Sequence, residues 1–294
     1  MLFAVALRRR AIGLGGVVLA FLLGTAGHAA LPGVGAGMLL HPARALPVPQ
    51  APEGCAAESF AGDGVTLAGW RCNGTGASTA GTIVYLHGVG DNRRSAVGIV
   101  QRFTRMGYDV VAYDSRAHGE SGGDVCTYGF YEKRDLSKVI ATIRRRPVVL
   151  IGTSLGAAVA LQEAADDPRV AAIVGAETFS DLRTVATDRA PFFFSGASLA
   201  SAFRLAAQQG RFDLDAVSPE RAAARLTIPV LLFHGAGDED TPPAHSERVF
   251  AALRGSKRLV IVPGATHSGS LTGESWSAIA RWLAETVVPA QVRD

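Results

Sequence analysis

The sequence predicts an α/β fold in which helices flank a mostly parallel central sheet. Short apolar runs alternate along the chain with segments of helical periodicity, and this alternation is typical of parallel strands joined by right-handed crossovers. The 294 residues are 48% hydrophobic, which is enough to bury one large core. We therefore expect one domain over residues 46–294, preceded by a hydrophobic N-terminal segment.

Six apolar runs predict the parallel strands: residues 82–86, 109–113, 148–152, 170–176, 230–233 and 258–262. Periodic segments predict the clearest helices: residues 96–106, 131–145, 155–165, 244–253 and 274–288. An antiparallel hairpin precedes these elements, because Asp63-Gly64 is typical of a two-residue turn. Residues 177–226 separate the fourth and fifth strands and predict a small helical cap. Its most apolar stretch, residues 191–194, either lines an acyl or aromatic pocket or packs the cap.

The spacing of two cysteines about this turn predicts a disulfide. In the register that the turn sets, Cys55 faces Cys72 at a non-hydrogen-bonded position, where cross-strand side chains lie closest together. A disulfide there is typical of an oxidising compartment. The alternative is two free thiols, and Cys126 has no partner in either case.

The N-terminal residues 1–45 predict a signal peptide or a membrane anchor with a linker. Three arginines, at positions 8 to 10, precede residues 11–40, which contain no Asp, Glu, Lys or Arg. A membrane-spanning helix needs about 20 apolar residues, so this stretch can span. It also fits a secretory signal cleaved near Ala29 or Ala45. In both cases the positive charge retains the N-terminus in the cytoplasm and sends the remainder outward, to the periplasm or the medium. A buried core helix is the remaining alternative.

The net charge of +3 does not indicate a nucleic-acid partner. Four arginines precede Glu53, the first acidic residue, and without them 25 basic residues face 26 acidic ones. The globular part is thus near neutral and gives no electrostatic reason to bind a polyanion. Nothing in the sequence indicates an oligomeric state.

The motif Gly152-Thr153-Ser154-Leu155-Gly156 joins a predicted strand to a predicted helix. This is the context of a nucleophile elbow, in which a strained turn presents a serine at the end of a sheet. Small residues two positions on either side allow strand and helix to approach closely. The motif therefore makes Ser154 the candidate nucleophile.

A serine hydroxyl needs a base, and the base needs a carboxylate that orients it. In an elbow fold both follow the serine, first the acid and then the histidine, on loops that leave the ends of strands. Asp238 follows the strand at 230–233, and His267 follows the strand at 258–262. Glu239 and Asp240 are rival candidates for the acid. Of the seven histidines, we expect His267 to be the base, because it lies between the last predicted strand and the last predicted helix.

Taken in order, these segments resemble the α/β-hydrolase superfamily, and within it the single-domain bacterial hydrolases related to the serine aminopeptidase-like group. The matching stretches include residues 63–70, 84–88 and 113–123, and the resemblance covers about residues 56–176 and 226–288. It implies an α/β-hydrolase fold. It also implies an oxyanion hole formed by the backbone amides of Val89 and Leu155, two donors converging on one point.

Two positions depart from the pattern of that group. Thr153 stands where relatives often carry a larger aromatic side chain or a histidine, and Thr266 stands where glycine is common. Both departures concern the shape of the pocket.

Three other histidines each flank a tight glycine turn: His87, His118 and His234. We expect these histidines to hold loop backbone by hydrogen bonds.

We therefore expect a serine hydrolase that cleaves carboxylic esters of small-molecule acyl substrates through an acyl-enzyme intermediate. Aminopeptidase, thioesterase and acyltransferase activities remain open, because leaving-group choice depends on cap and pocket. A non-catalytic binding protein, anchored in the inner membrane by residues 11–40, is the alternative from another class. No cofactor or metal is implied, since neither Cys-x-x-Cys nor His-Glu-x-x-His occurs, and the glycines at 88 and 90 lack the third glycine of a dinucleotide loop.

Overall fold

A computed structural model describes residues 31–75 and 80–287 of the chain. Within these residues eight strands form one sheet, in the spatial order β1-β2-β4-β3-β5-β6-β7-β8. The strands are β1 (Cys55–Ala61), β2 (Thr66–Cys72), β3 (Gly81–Leu86), β4 (Tyr108–Tyr113), β5 (Val148–Thr153), β6 (Val170–Ala176), β7 (Val230–Gly235) and β8 (Lys257–Val262). Strand β2 pairs antiparallel with β1 and β4, and the other pairs are parallel. The predicted parallel sheet is confirmed.

Helices cover both faces of this sheet, as an α/β fold requires to bury its parallel strands. They are α1 (31–40), α2 (Val97–Phe103), α3 (Glu132–Ala141), α4 (Leu155–Ala164), α5 (Leu182–Asp188), α6 (Gly196–Gly210), α7 (Pro219–Ala223), α8 (Ala244–Ala252) and α9 (Gly273–Thr286). Helices α2 and α9 pack on one face. Helices α3, α4, α7 and α8 pack on the other, with α4 buried along its whole length.

The hairpin at the edge of the sheet has the register that the turn predicts. Gly64 adopts a positive φ of 74°, and Cys55 pairs with Cys72. The two Cα atoms are 4.0 Å apart and the cysteines form a disulfide. Cys126 is a buried free thiol. The hairpin, its register and the disulfide were all readable from the sequence.

Helix α3 is shorter than the predicted segment 131–145, because it ends at Ala141. The Thr142 amide donates to the carbonyl oxygen of Val139, which closes the last turn. Pro147 lies five residues further on, and its carbonyl oxygen accepts a hydrogen bond from Thr82 in β3. The chain must therefore leave the helix early, since a proline disfavours helical backbone before it and this one already belongs to the strand region.

The predicted cap is present between β6 and β7. It consists of α5, α6, a short 3₁₀ turn at Leu214–Ala216 and α7. Helix α1 packs against it: Ala36 and Leu40 are fully buried in a cluster that includes Phe203 and Ala206 of α6. The cap thus contains a helix from the N-terminal part of the chain.

The interpretation of residues 1–45 as a signal peptide or anchor with a linker stays a prediction, and the structure describes only its last part. Residues 1–30, with the candidate cleavage site at Ala29, lie outside the described residues. Residues 31–40, the end of the predicted anchor, form α1 on the cap. Arg44 donates hydrogen bonds to the carbonyl oxygens of Gly119, Ser121 and Gly123, so the linker is docked as well. Among the helices described, none has the length and hydropathy to cross a membrane.

Candidate active site

Ser154 lies on a sharp turn between β5 and α4. Its backbone has φ 50° and ψ −111°, a strained conformation for a residue with a side chain. A Cβ atom at Gly152 would lie 2.4 Å from the backbone of Gly156, and one at Gly156 would lie 2.1 Å from the carbonyl oxygen of Leu86. Both glycines are therefore needed for the contact between strand and helix that holds the turn.

The structure brings the three candidate side chains together at the carboxyl ends of the parallel strands. The Oγ atom of Ser154 is 3.1 Å from Nε2 of His267, and Nδ1 of His267 is 2.7 Å from Oδ2 of Asp238. These residues are separated by 84 and 29 positions in the chain, counted from 154 to 238 and from 238 to 267. Both distances are within the range of hydrogen bonds.

Asp238 is the member of its acidic triplet that reaches the histidine. Its carboxylate is fully buried, and Oδ1 accepts a hydrogen bond from the amide of Thr241. Glu239 and Asp240 are exposed and line the cavity above the site. The Thr241 amide fixes the orientation of this buried carboxylate. Its other oxygen can therefore hold the His267 ring in one orientation.

The loop that carries Val89 lies beside the serine. A Cβ atom at Gly88 would be 3.6 Å from Cβ of Ser154, and Val89 lines the same cavity as Ser154. Leu155 is the first residue of α4, where free amides carry partial positive charge. The two candidate oxyanion donors, one in the loop after β3 and one at the start of α4, are therefore both near the nucleophile.

The three histidines expected to hold loop backbone do so. Nε2 of His87 accepts a hydrogen bond from the amide of Ser115, so Nδ1 carries the proton and donates to the carbonyl oxygen of Gly88 at 2.7 Å. His234 lies within 2.7 Å of the carbonyl oxygen of Thr241. These contacts fix the loops on which the candidate oxyanion donor and the acid lie.

His118 has the same role in the loop after β4. Its Nδ1 donates to the carbonyl oxygen of Arg116 at 2.8 Å. Burial lowers the pKa of His118 to about 4, so the ring is uncharged near neutral pH. A neutral, buried ring of this kind supports backbone and takes no part in proton transfer to solvent.

A second serine-histidine-aspartate cluster lies under the cap and was not found from the sequence. Ser180 Oγ is 2.9 Å from Nδ1 of His245, and Nε2 of His245 is 3.1 Å from Oδ2 of Asp188. However, Ser180 is fully buried and its hydroxyl also donates to Asp181, while Arg248 donates to Nδ1 of His245. With no acceptor free on the ring and no access for a substrate, this cluster is structural.

Two cavities border the candidate site and share Val89 and Arg189 in their linings. The first, of about 780 Å³, contains Ser154 and His267 and has a mixed lining that includes Asp188, Glu239, Leu271 and Trp276. The second, of about 370 Å³, is mostly apolar and lies between α1 and the cap. Of the three phenylalanines at 192–194, Phe194 lines the second cavity, whereas Phe192 and Phe193 are 99% and 51% exposed.

Sequence reasoning missed two charged residues beside the candidate base. Arg189, at the end of α5, has an Nη2 atom 3.4 Å from Nε2 of His267, and lines both cavities. Glu177 directly follows β6 with a positive φ of 49°, and its Oε1 accepts a hydrogen bond from the amide of Ser270. Burial raises the pKa of the Glu177 carboxyl. Its position at a strand end was a usable signal, but Arg189 lies in the cap, where no motif marks it.

Comparison with known proteins gives the class of the chain. The alpha/beta hydrolase family matches residues 83–282, more than half of the sequence. The chain therefore belongs to the α/β hydrolase family, in agreement with the eight-stranded sheet and the elbow.

Individual proteins are similar to this chain at low identity. The uncharacterized protein YqkD of Bacillus subtilis is 29% identical over 222 residues, which are 66% of this chain and 67% of YqkD. The Pyrococcus furiosus esterase Pf2001 has a TM-score of 0.66 at 19% identity, covering 84% of this chain and 97% of the esterase. Est1E from Butyrivibrio proteoclasticus, solved with ferulic acid, has a TM-score of 0.66 at 18% identity, covering 79% of this chain and all of Est1E (100%). The structural matches show the fold.

Proposed function

We propose that this protein is a serine hydrolase that cleaves carboxylic esters through an acyl-enzyme intermediate. The observation that carries the proposal is the Ser154–His267–Asp238 chain of hydrogen-bond distances, 3.1 and 2.7 Å, built on a strained elbow. A serine in this setting has both a base for its proton and a carboxylate that stabilises the base once charged.

The reaction follows from these positions. Nε2 of His267 removes the proton of Ser154 as Oγ attacks the ester carbonyl carbon. The carbonyl oxygen becomes an oxyanion and accepts hydrogen bonds from the amides of Val89 and Leu155. His267 then gives its proton to the alcohol oxygen, which leaves as the C–O bond breaks. A water molecule attacks the acyl-serine by the same route in reverse, giving the carboxylic acid and free Ser154.

Two features favour esters over the other acyl substrates that the Ser154–His267–Asp238 site could cleave. The second cavity is apolar and large enough for the non-polar part of a small ligand. Two proteins of similar fold, Pf2001 and Est1E, are respectively an esterase and a protein with bound ferulic acid, an aromatic carboxylic acid. Aminopeptidase, thioesterase and acyltransferase activities share the same first step and are distinguished by the assay below.

We propose in addition that residues 31–45 are part of the domain and that it functions outside the cytoplasm. Helix α1 and the docked Arg44 support the inclusion of these residues. The Cys55–Cys72 disulfide supports an oxidising compartment, since such bonds are rare where thiols are kept reduced.

The test is a panel of p-nitrophenyl esters, aminoacyl p-nitroanilides and acyl thioesters, assayed with the full chain and with Ser154→Ala. We expect the esters to give the highest kcat/KM, and Ser154→Ala to lower it by about 10⁴-fold or more. Faster turnover of the anilides would replace the esterase proposal by the aminopeptidase one. Equal activity of the parent and Ser154→Ala would refute both.

A further inference from the structure

The apolar cavity is lined by parts of the chain that lie far apart in sequence. Met38 and Leu39 of α1 form one wall, and Leu199 and Phe203 of α6 form the opposite wall. Phe194 completes the lining at the cap. Its volume of about 370 Å³ falls in the range of small-ligand sites.

This cavity lies next to the candidate active site. Val89 and Arg189 line both cavities, and Ser154 lies in the larger one. The Val89 amide is the proposed oxyanion donor, so the acyl carbon of a bound ester would lie beside the apolar cavity. The Arg189 guanidinium, at the same junction, donates to the carbonyl oxygen of Asp240 and to Thr241. These two hydrogen bonds hold the guanidinium group against the loop that carries Asp240 and Thr241.

The wall that α1 provides is firmly attached. A Cβ atom at Gly35 would lie 2.9 Å from both Ala202 and Phe194, so α1 packs against the cap as closely as glycine permits. Further along, the carbonyl oxygen of Ala45 accepts a hydrogen bond from the side chain of Asn92, at 2.7 Å. The segment after α1 thus contacts the loop that follows Val89 and fixes the wall relative to the site.

We propose that this cavity binds the acyl chain of the substrate, and that the residues of segment 35–43 that line it are therefore part of the substrate site. The inference rests on the proposed function and names its substrate class: esters of aliphatic acids with an extended chain. The acyl chain occupies the apolar cavity, and the alcohol part occupies the larger cavity that contains Ser154. Each methylene transferred from water into the cavity raises kcat/KM by roughly fourfold until the cavity is full.

The experiment compares p-nitrophenyl octanoate with p-nitrophenyl acetate, using paired variants of the full chain. Met38 and Val34 are both exposed on α1, at 60% and 50%, but only Met38 of the two lines the cavity. Met38→Asp places a charge in the wall, and Val34→Asp is its matched control. Leu199→Trp fills the cavity from α6, and Leu205→Trp, on the same helix but away from the lining, is the second control.

We expect Met38→Asp and Leu199→Trp to lower the octanoate-to-acetate ratio of kcat/KM by about tenfold or more, from the loss of two or more buried methylenes. The two controls should leave the ratio within about twofold of the parent. Unchanged ratios in both Met38→Asp and Leu199→Trp would overturn the inference, as would equal losses in the controls.

A binding measurement separates this inference from the proposed function. Titration calorimetry with decan-1-ol, an uncharged chain without an ester, should show binding to the parent that Met38→Asp weakens about tenfold. If the parent hydrolyses neither ester but this difference in binding appears, the esterase proposal fails and the cavity inference stands. If the esters are hydrolysed but decan-1-ol binding does not depend on Met38, the cavity inference fails and the esterase proposal stands.

Discussion

Replacing Cys55 and Cys72 together by serine removes the covalent link across the β1–β2 hairpin. The two cysteines are 17 positions apart. For a loop of this length, the chain-entropy relation gives a loss of about 3 kcal/mol in the free energy of unfolding. In a domain of this size the melting temperature should fall by about 6–12 °C. The hairpin forms one edge of the sheet, with β4 and β3 between it and the strand that leads to Ser154. Ester hydrolysis by the folded variant should therefore stay within about twofold of the parent.

The assay is urea unfolding of the oxidised parent, the parent in dithiothreitol, and the double variant. The last two curves should coincide, both shifted to lower urea than the first. A difference below about 0.5 kcal/mol between the oxidised parent and the double variant would refute the reasoning, because the denatured chain would then gain little freedom from losing the link. A large loss of activity at full folding would contradict the separation of hairpin and site.

Two further predictions concern single carboxyl groups. Asp238→Asn should lower kcat by about 10⁴-fold, because the amide favours the wrong His267 tautomer, while the exposed neighbour variant Asp240→Asn should stay within about twofold of the parent in the same ester assay. Burial raises the pKa of the Glu163 carboxyl to about 7, so the stability that its bound proton contributes is present below about pH 4.5 and is lost as pH rises through 7. Glu163→Gln, which stays uncharged, should thus unfold at a higher urea concentration than the parent at about pH 8.5. At about pH 4 the two proteins should unfold at the same urea concentration. A lower urea midpoint for Glu163→Gln than for the parent at about pH 8.5 would contradict the assignment.

The features that the sequence predicts well are those with a local cause. A turn at Asp63-Gly64 sets the pairing of the hairpin over its whole length, so even the Cys55–Cys72 pair follows from counting. The elbow is also mostly local, since a Cβ atom at Gly152 would meet the backbone of Gly156 within one turn of Ser154. Parallel strands end at a common edge, and this rule brings distant loops together without knowledge of the detailed packing.

The features that the sequence does not predict depend on what covers an apolar surface. Ala36 and Leu40 are buried against the cap, yet the uncharged composition of residues 31–40 also fits a membrane segment. Hydropathy indicates that a residue is buried away from water, but it does not distinguish burial in lipid from burial in protein. The His245 cluster shows the same limit for polar groups, since the sequence cannot reveal that Ser180 is sealed under the cap.

Labelling with a fluorophosphonate probe, followed by mapping of the modified peptide, tests most directly whether Ser154 is an activated nucleophile. We expect one adduct on Ser154, formed quickly by the parent and lost in both Ser154→Ala and His267→Ala. An adduct on another residue, or equal labelling of Ser154→Ala, would contradict the account.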